Sequence, residues 1–398
     1  MTELSGLRVL DLTDEKGIYG TKLLADHGAH VIRVEPPGGH HLRRRGPFLR
    51  DDAARDHSLY WAYMNTSKRA ITLNVDTADG RDLFSRLVAT VDVVAVSGDP
   101  APVARLDPRG LVSAHPALIV SAITPFGMTG PFQNWAGNDF IAWATGGLTF
   151  TTGDSDRPPV SPAPVAELAN VYAGYLTAFS TLAALVSRNL SGRGQLLDLS
   201  LQQSVLIASG ESGISAFMND QELRVRQGSK RIFGPSGHYP TSDGHAAVLA
   251  LMPPHWDALA AWIAEETGLE GALDESLRGA MVRTGDLFDV SEYFTTELTK
   301  LYTKQELFEE GQRRGIPFTP VNEPASTAHD PQLAYRGFWT DLEVAGESVR
   351  APGAPATYSG IEWRAGRPPR LAEHNEEVYA EIGLTREDIE RLTVNGVL

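Results

Sequence analysis

Apolar and polar positions at the start of the chain switch between the period of a strand and the period of a helix. Arg8-Val9-Leu10-Asp11-Leu12 reads as a buried strand, residues 17–28 as a turn and a helix, and Val31-Ile32-Arg33-Val34 as a second strand stopped by Pro36-Pro37-Gly38-Gly39. Such a βαβ opening predicts a parallel sheet with helices on its faces. Residues 93–96 and 118–122 fit as further strands of that sheet. From 165 to 188 the period is helical, with Val171, Tyr175, Ala178, Leu182 and Leu185 on one side. Ala169, Ala173 and Gly174 predict close packing of this helix against another backbone. Residues 201–217 read as one more helix, and 219–236 as polar, basic and extended. A compact α+β unit follows over 239–317, with a turn at Ser242-Asp243-Gly244, a strand at 246–251 and several amphipathic helices. The tail carries Pro/Gly-rich turns and a charged helix around 373–382.

Composition narrows the classes of function. The 398 residues carry 50 acidic against 35 basic side chains, a net charge of −15, so nucleic acid is not the expected partner. No apolar run approaches the roughly 18–20 residues of a membrane span, and Met1-Thr2-Glu3-Leu4 has no signal-peptide pattern. The expectation is a cytoplasmic protein. With no cysteine there is no disulfide, thiolate metal site or cysteine nucleophile.

Candidate chemistry is dispersed. Gly17-Ile18-Tyr19-Gly20 follows the first strand without completing GxGxxG, so it is either a nucleotide-binding turn or an ordinary tight turn. Glu35 ends the second strand, where it either holds a ribose or is solvated. Arg43-Arg44-Arg45 and Lys68-Arg69 are dense basic clusters in an acidic chain, suited to phosphate or to a solvated surface. The eleven histidines have no metal-ligand spacing, and His40-His41 and His374 alone lie near other polar clusters, so no metal site is assigned. Neither a Gly-x-Ser-x-Gly elbow nor a P-loop is present.

A set of segments in order resembles the CaiB/BaiF family, the family III CoA-transferases. These include Leu4-Ser5-Gly6-Leu7-Arg8-Val9-Leu10-Asp11-Leu12, the run from Leu24 through Val34-Glu35-Pro36-Pro37-Gly38-Gly39, and Asn65-Thr66-Ser67-Lys68-Arg69. Phe126-Gly127-Met128-Thr129-Gly130-Pro131, Ser191-Gly192-Arg193-Gly194-Gln195, Gly315-Ile316-Pro317 and Glu373-His374-Asn375-Glu376-Glu377-Val378 continue it. The resemblance implies a large Rossmann-like domain (1–200, completed by a return segment at 321–398) around a linker and smaller α+β domain (201–320), in an interlocked dimer. It implies coenzyme A as the acyl-carrying substrate, held by Glu15, Lys16 and Gly17 after the first strand and by Lys68, Arg69 and Arg105 at its phosphates.

In the family an aspartate attacks the acyl-CoA thioester. Counted back from Gly192-Arg193-Gly194-Gln195, its position here holds Asn170, and an amide cannot replace a carboxylate as nucleophile. The nearest carboxylate is Glu167, on the same face if the segment is helical. Two further departures are Ser97-Gly98-Asp99-Pro100-Ala101 in place of the family's Asn-Phe/Tyr-x-Pro-Gly turn, and Asn138 where racemases of the family carry histidine. The leading expectation is CoA transfer between an acyl-CoA and a carboxylic acid with Glu167 as substitute nucleophile. The alternatives are a non-catalytic subunit paired with an aspartate-bearing paralogue, or lyase or isomerase chemistry with Asp139 or Glu167 as base.

Overall fold

The structure, a computed structural model, describes residues 4–54, 56–161, 167–208, 233–361 and 363–398. It divides into two compact units, the larger from residues 4–149, 161–208 and 332–398, the smaller from 150–160 and 233–331.

The larger unit is built on six strands: β1 (Arg8–Leu12), β2 (His30–Glu35), β3 (Arg69–Thr72), β4 (Val93–Ser97), β5 (Ile119–Thr124) and β6 (Leu196–Ser200). All pair in parallel, in the order β3-β2-β1-β4-β5-β6. Helices α1 (Ile18–Asp26), α2 (Leu59–Met64), α3 (Ala78–Val88), α4 (Pro100–Arg105) and α5 (Pro108–Ala114) come between the first strands. Helices α6 (Asp139–Thr145), α7 (Leu148–Thr151) and α8 (Leu168–Ser191) precede β6, and α9 (Leu201–Ala208) follows it. A sheet covered on both faces needs strands apolar on both faces. Accordingly every residue of β4 and β5 is buried. The α/β, Rossmann-like expectation therefore holds.

The 24-residue α8 is apolar enough by length and composition to cross a membrane, although scattered Ser, Thr and Asn residues break its apolar run. Its small face is instead buried in the protein. A Cβ on Gly20 would lie 2.6 Å from the carbonyl oxygen of Gly174, so α1 and α8 touch backbone to backbone, as the small residues predicted. The helix begins at Leu168, later than the expected 165, and residues 162–166 lie outside the described ones. The next helix is described over Leu201–Ala208; the rest of the expected 201–217, and the extended 219–232, likewise fall outside.

The domain boundaries differ from the expectation. α9 packs Leu201 and Val205 against Ile123, Trp143 and Ala173, so it belongs to the larger unit, while residues 321–331 go with the smaller. The return segment closes the free edge of the sheet. Asn375 accepts from the Thr72 N–H at 2.9 Å and donates to its hydroxyl at 2.8 Å, and the Tyr379 hydroxyl donates to the Thr72 carbonyl at 2.7 Å. These bonds satisfy and cover the edge strand β3. Trp339–Val344 and Glu347–Pro352 form an antiparallel hairpin, β10 and β11, after the smaller unit's three-stranded antiparallel sheet of β7 (Ser236–Thr241), β8 (Gly244–Leu249) and β9 (Phe318–Pro320). In that unit Trp256, Trp262, Ile263, Leu307 and Phe318 pack together, and the buried Arg283 donates to the carbonyls of Leu277 and Ala250 at 2.6 and 3.0 Å.

Candidate active site

The strand order reverses between β1 and β4, and ligands of open parallel sheets bind beyond the carboxyl ends of the strands at such a reversal. Here the two turns are tied together. The Asp14 N–H donates to Ser97 Oγ at 2.8 Å, and the Ser97 hydroxyl donates to Asp14 Oδ1 at 2.5 Å. Lys16 Nζ lies 2.8 Å from Asp14 Oδ2 and 3.6 Å from Glu15 Oε1. A Cβ on Gly17 would stand 2.9 Å from Thr13 Cγ2 and 3.2 Å from Ser97 Oγ, so a side chain there would force the turn away from β4. Beside this junction a cavity of about 400 Å³ opens at the ends of the strands, with Leu12, Val34, Leu73 and Val96 as its floor and Arg81 and Arg105 among its walls. Arg105 is exposed and pairs with Asp76 at 3.2 Å.

A second cavity, about 290 Å³, is lined by Glu15, Asn138, Asp139, Phe140, Ser161, Glu167 and Asn170. It lies at the first turn of α8. Asp139 Oδ1 accepts the backbone N–H groups of Ala169 and Asn170 at 2.8 and 3.2 Å, so this carboxylate caps α8 from thirty residues upstream. Burial raises the Asp139 carboxyl above the usual range. Asn170 is 4% exposed, and its Oδ1 has no hydrogen-bond partner among the described residues. Glu167 stands just outside the helix in the left-handed region, φ 46°. Its Oε1 is 2.5 Å from Arg45 Nη2, and the Tyr60 hydroxyl donates to Oε2 at 3.0 Å. Burial opposes ionisation of Glu15, but the hydrogen bond with His41 and the ammonium of Lys16 outweigh it and hold the carboxyl down at about 2.

A sequence profile described as CoA-transferase family III matches residues 4–375. The chain belongs to that family. Among the similar proteins, succinyl-CoA:(R)-benzylsuccinate CoA-transferase subunit BbsE of Thauera aromatica is 32% identical, over 100% of this chain and 98% of that protein. The succinyl-CoA–L-malate CoA-transferase beta subunit of Chloroflexus aurantiacus is 31% identical, over 99% and 98%. A CAIB/BAIF family protein from Brucella suis superposes with a TM-score of 0.84 at 29% identity, covering 96% of this chain and 99% of that one.

In this family III member the residues expected at CoA phosphates separate. Arg105 stands at the cavity, but Lys68 does not. Its ammonium is fully buried, 2.9 Å from Asp11 Oδ2 and from Thr21 Oγ1, and so offers no charge to a ligand in solvent. Burial pushes the Lys68 amine down to about 8, against the pull of Asp11. Arg69 opens β3, at the amino end of the sheet and opposite the crevice, where it pairs with Glu377 and Glu381 at 2.6 and 2.7 Å. Both are engaged in ion pairs with carboxylates of this chain. Glu35 is neither ribose ligand nor solvated: buried, it accepts from Arg43 Nε and Nη2 at 2.7 and 2.8 Å. The basic triplet thus splits, Arg43 locking β2 and Arg45 reaching Glu167. Tyr60 and Arg81 carried no signal in the sequence, and Arg45 stood out only as one of the triplet, which did not distinguish its members.

Proposed function

We propose that this chain is a CoA-binding subunit of a heteromeric CoA-transferase whose nucleophilic carboxylate comes from an aspartate-bearing relative. The observation that carries the reading is the site at the start of α8. The family's aspartate position holds the carboxamide of Asn170, and the neighbouring carboxylates are engaged: Glu167 by Arg45 and Tyr60, Asp139 by two backbone amides. A carboxylate that caps a helix is poorly disposed to act as a base, which weighs against lyase or isomerase chemistry. The relatives support a subunit role: the Thauera protein is a subunit, BbsE, and the Chloroflexus protein a beta subunit, both of succinyl-CoA-dependent CoA-transferases. We accordingly assign succinyl-CoA or a similar acyl-CoA as donor and a carboxylic acid as acceptor, in the cytoplasm.

The two cavities suit coenzyme A. Its nucleotide end fits the larger, where Arg81 and Arg105 supply the cations that Lys68 and Arg69 do not. The pantetheine arm would pass Glu15, Lys16 and Gly17 and bring the thioester to the smaller. In the reaction the partner's carboxylate oxygen bonds to the acyl carbon, the C–S bond breaks, and CoA leaves as thiolate. This chain holds the thioester and keeps the pocket dry. Its own association is favoured by an apolar stripe on α8, where Phe179, Leu182, Val186 and Leu190 are exposed. An interlocked dimer of like or unlike chains would cover it.

One observation favours the rival reading, with Glu167 itself as nucleophile: it lines the cavity, where Arg45 orients its carboxylate. Assay of succinyl-CoA-dependent thioester formation separates the two. The purified chain is expected to be inactive alone and active when co-expressed with an aspartate-bearing relative from the same genome; turnover by the chain alone that is lost in Glu167→Gln would overturn the proposal.

A further inference from the structure

We infer that Arg45 and Tyr60 form a carboxylate-binding clamp for a small dicarboxylic acid, and that Glu167 fills this clamp in the unliganded chain. The inference rests on the reading above that the smaller cavity is the acyl end of the CoA site.

Both oxygens of Glu167 are bound by different donors, Oε1 by the Arg45 guanidinium and Oε2 by the Tyr60 hydroxyl, which is the full recognition of a carboxylate by a charged and a neutral donor. The donors are organised independently of Glu167, since the guanidinium stacks on the Tyr60 ring at 4.2 Å. Burial and the nearby Glu167 charge push the Tyr60 phenol up, so it remains a donor.

The occupant is held less comfortably than the clamp. Glu167 adopts a left-handed backbone conformation that an L side chain other than glycine rarely takes without compensating contacts. The cavity also needs the clamp: Glu15, Asp139 and Glu167 line it with negative charge, so an anion entering it requires the cation that stands behind Glu167. A guanidinium has five N–H donors, more than one carboxylate uses, so an incoming carboxylate can bind as Glu167 swings out. The second carboxyl of the acid then faces Asn170, at the family's nucleophile position, where the buried amide has an unpartnered oxygen and can turn to present its N–H₂. Such an acid is bound there without reacting.

Calorimetric titration of the full chain with succinate, with succinamide as the neutral control and CoA in parallel, tests the clamp. Glu167→Gln, which removes the competing charge at constant shape, is expected to tighten succinate binding at least tenfold. Arg45→Met is expected to abolish it and Tyr60→Phe to weaken it several-fold, with succinamide silent throughout and CoA affinity unchanged. Succinate binding no tighter in Glu167→Gln, or retained in Arg45→Met, by protein that still binds CoA would overturn the clamp. If CoA fails to bind the wild type while succinate follows the expected series, the clamp stands and the CoA-site reading fails.

Discussion

Asp11 shows how a single buried charge decides the role of its neighbours. It sits at the middle of the sheet with no solvent exposure, 3.0 Å from Arg33 and 2.9 Å from Lys68, and it also accepts from the hydroxyls of Thr13 and Thr21 at 2.6 and 2.8 Å. Burial works against its ionisation, but the two cations more than offset this and hold the carboxyl well below the usual range. Removing one member of a buried ionic group strands the others, so Asp11→Asn should cost about 3–5 kcal/mol in urea unfolding at neutral pH. The pH dependence has a definite sign. A folded value below the ordinary 3.8 means the unfolded chain takes up the proton first, so the Asp11 contribution is complete above that value and is lost progressively as pH falls from it towards the lower folded value. Wild type should therefore lose more stability than Asp11→Asn between pH 5 and pH 3 (values chosen to bracket the ordinary carboxyl range of roughly 4). By the same geometry Lys68→Met should lower stability and leave CoA affinity unchanged. Arg105→Ala should weaken CoA at least tenfold in calorimetry, a charge-assisted bond to phosphate contributing about 1.5–3 kcal/mol. The Asn-x-x-Lys-Arg motif was legible as a family mark, but periodicity does not say which cation meets a carboxylate inside the sheet and which meets solvent.

At the scale of elements, the close contact of α1 with α8 sets how the first turn of α8 faces the β1 turn. Gly20→Ala places a methyl against the Gly174 carbonyl, a backbone atom that cannot step aside. The expected loss is about 1–3 kcal/mol, read as a lower thermal midpoint. This contact was readable because Ala169, Ala173 and Gly174 fall on one helical face. The start of α8 was not. Its first amides are satisfied by Asp139, thirty residues away, and a cap so distant leaves no local signature of the S/T-x-x-E kind. For that reason the helical period ran on to 165, and Glu167 was read on the helix when it is the left-handed residue before it. Strands β1, β2, β4 and β5 were legible because a doubly covered sheet writes continuous apolar runs, whereas the short β3 and the half-exposed β6 were not read.

Across the whole molecule, the strand reversal between β1 and β4 explains why the larger cavity lies where it does, and the βαβ opening was enough to anticipate the sheet. The boundaries of the smaller unit were harder, since α9 has a neutral, apolar sequence that suits either side until its packing on Trp143 is seen. The exposed stripe on α8 gives the proposed assembly a test. With Leu190 87% and Val186 62% exposed, Val186→Glu with Leu190→Glu should leave the fold intact and reduce the mass seen by light scattering from that of an assembly to that of one chain of 43.1 kDa.

The central claim, that the reactive carboxylate is absent from this chain, is tested most directly by mass spectrometry after hydroxylamine trapping. The complex isolated with its partner is incubated with succinyl-CoA and hydroxylamine, digested, and searched for a hydroxamate. The expected result is a hydroxamate on an aspartate of the partner and none on any peptide of this chain. A hydroxamate on Glu167 would contradict the account.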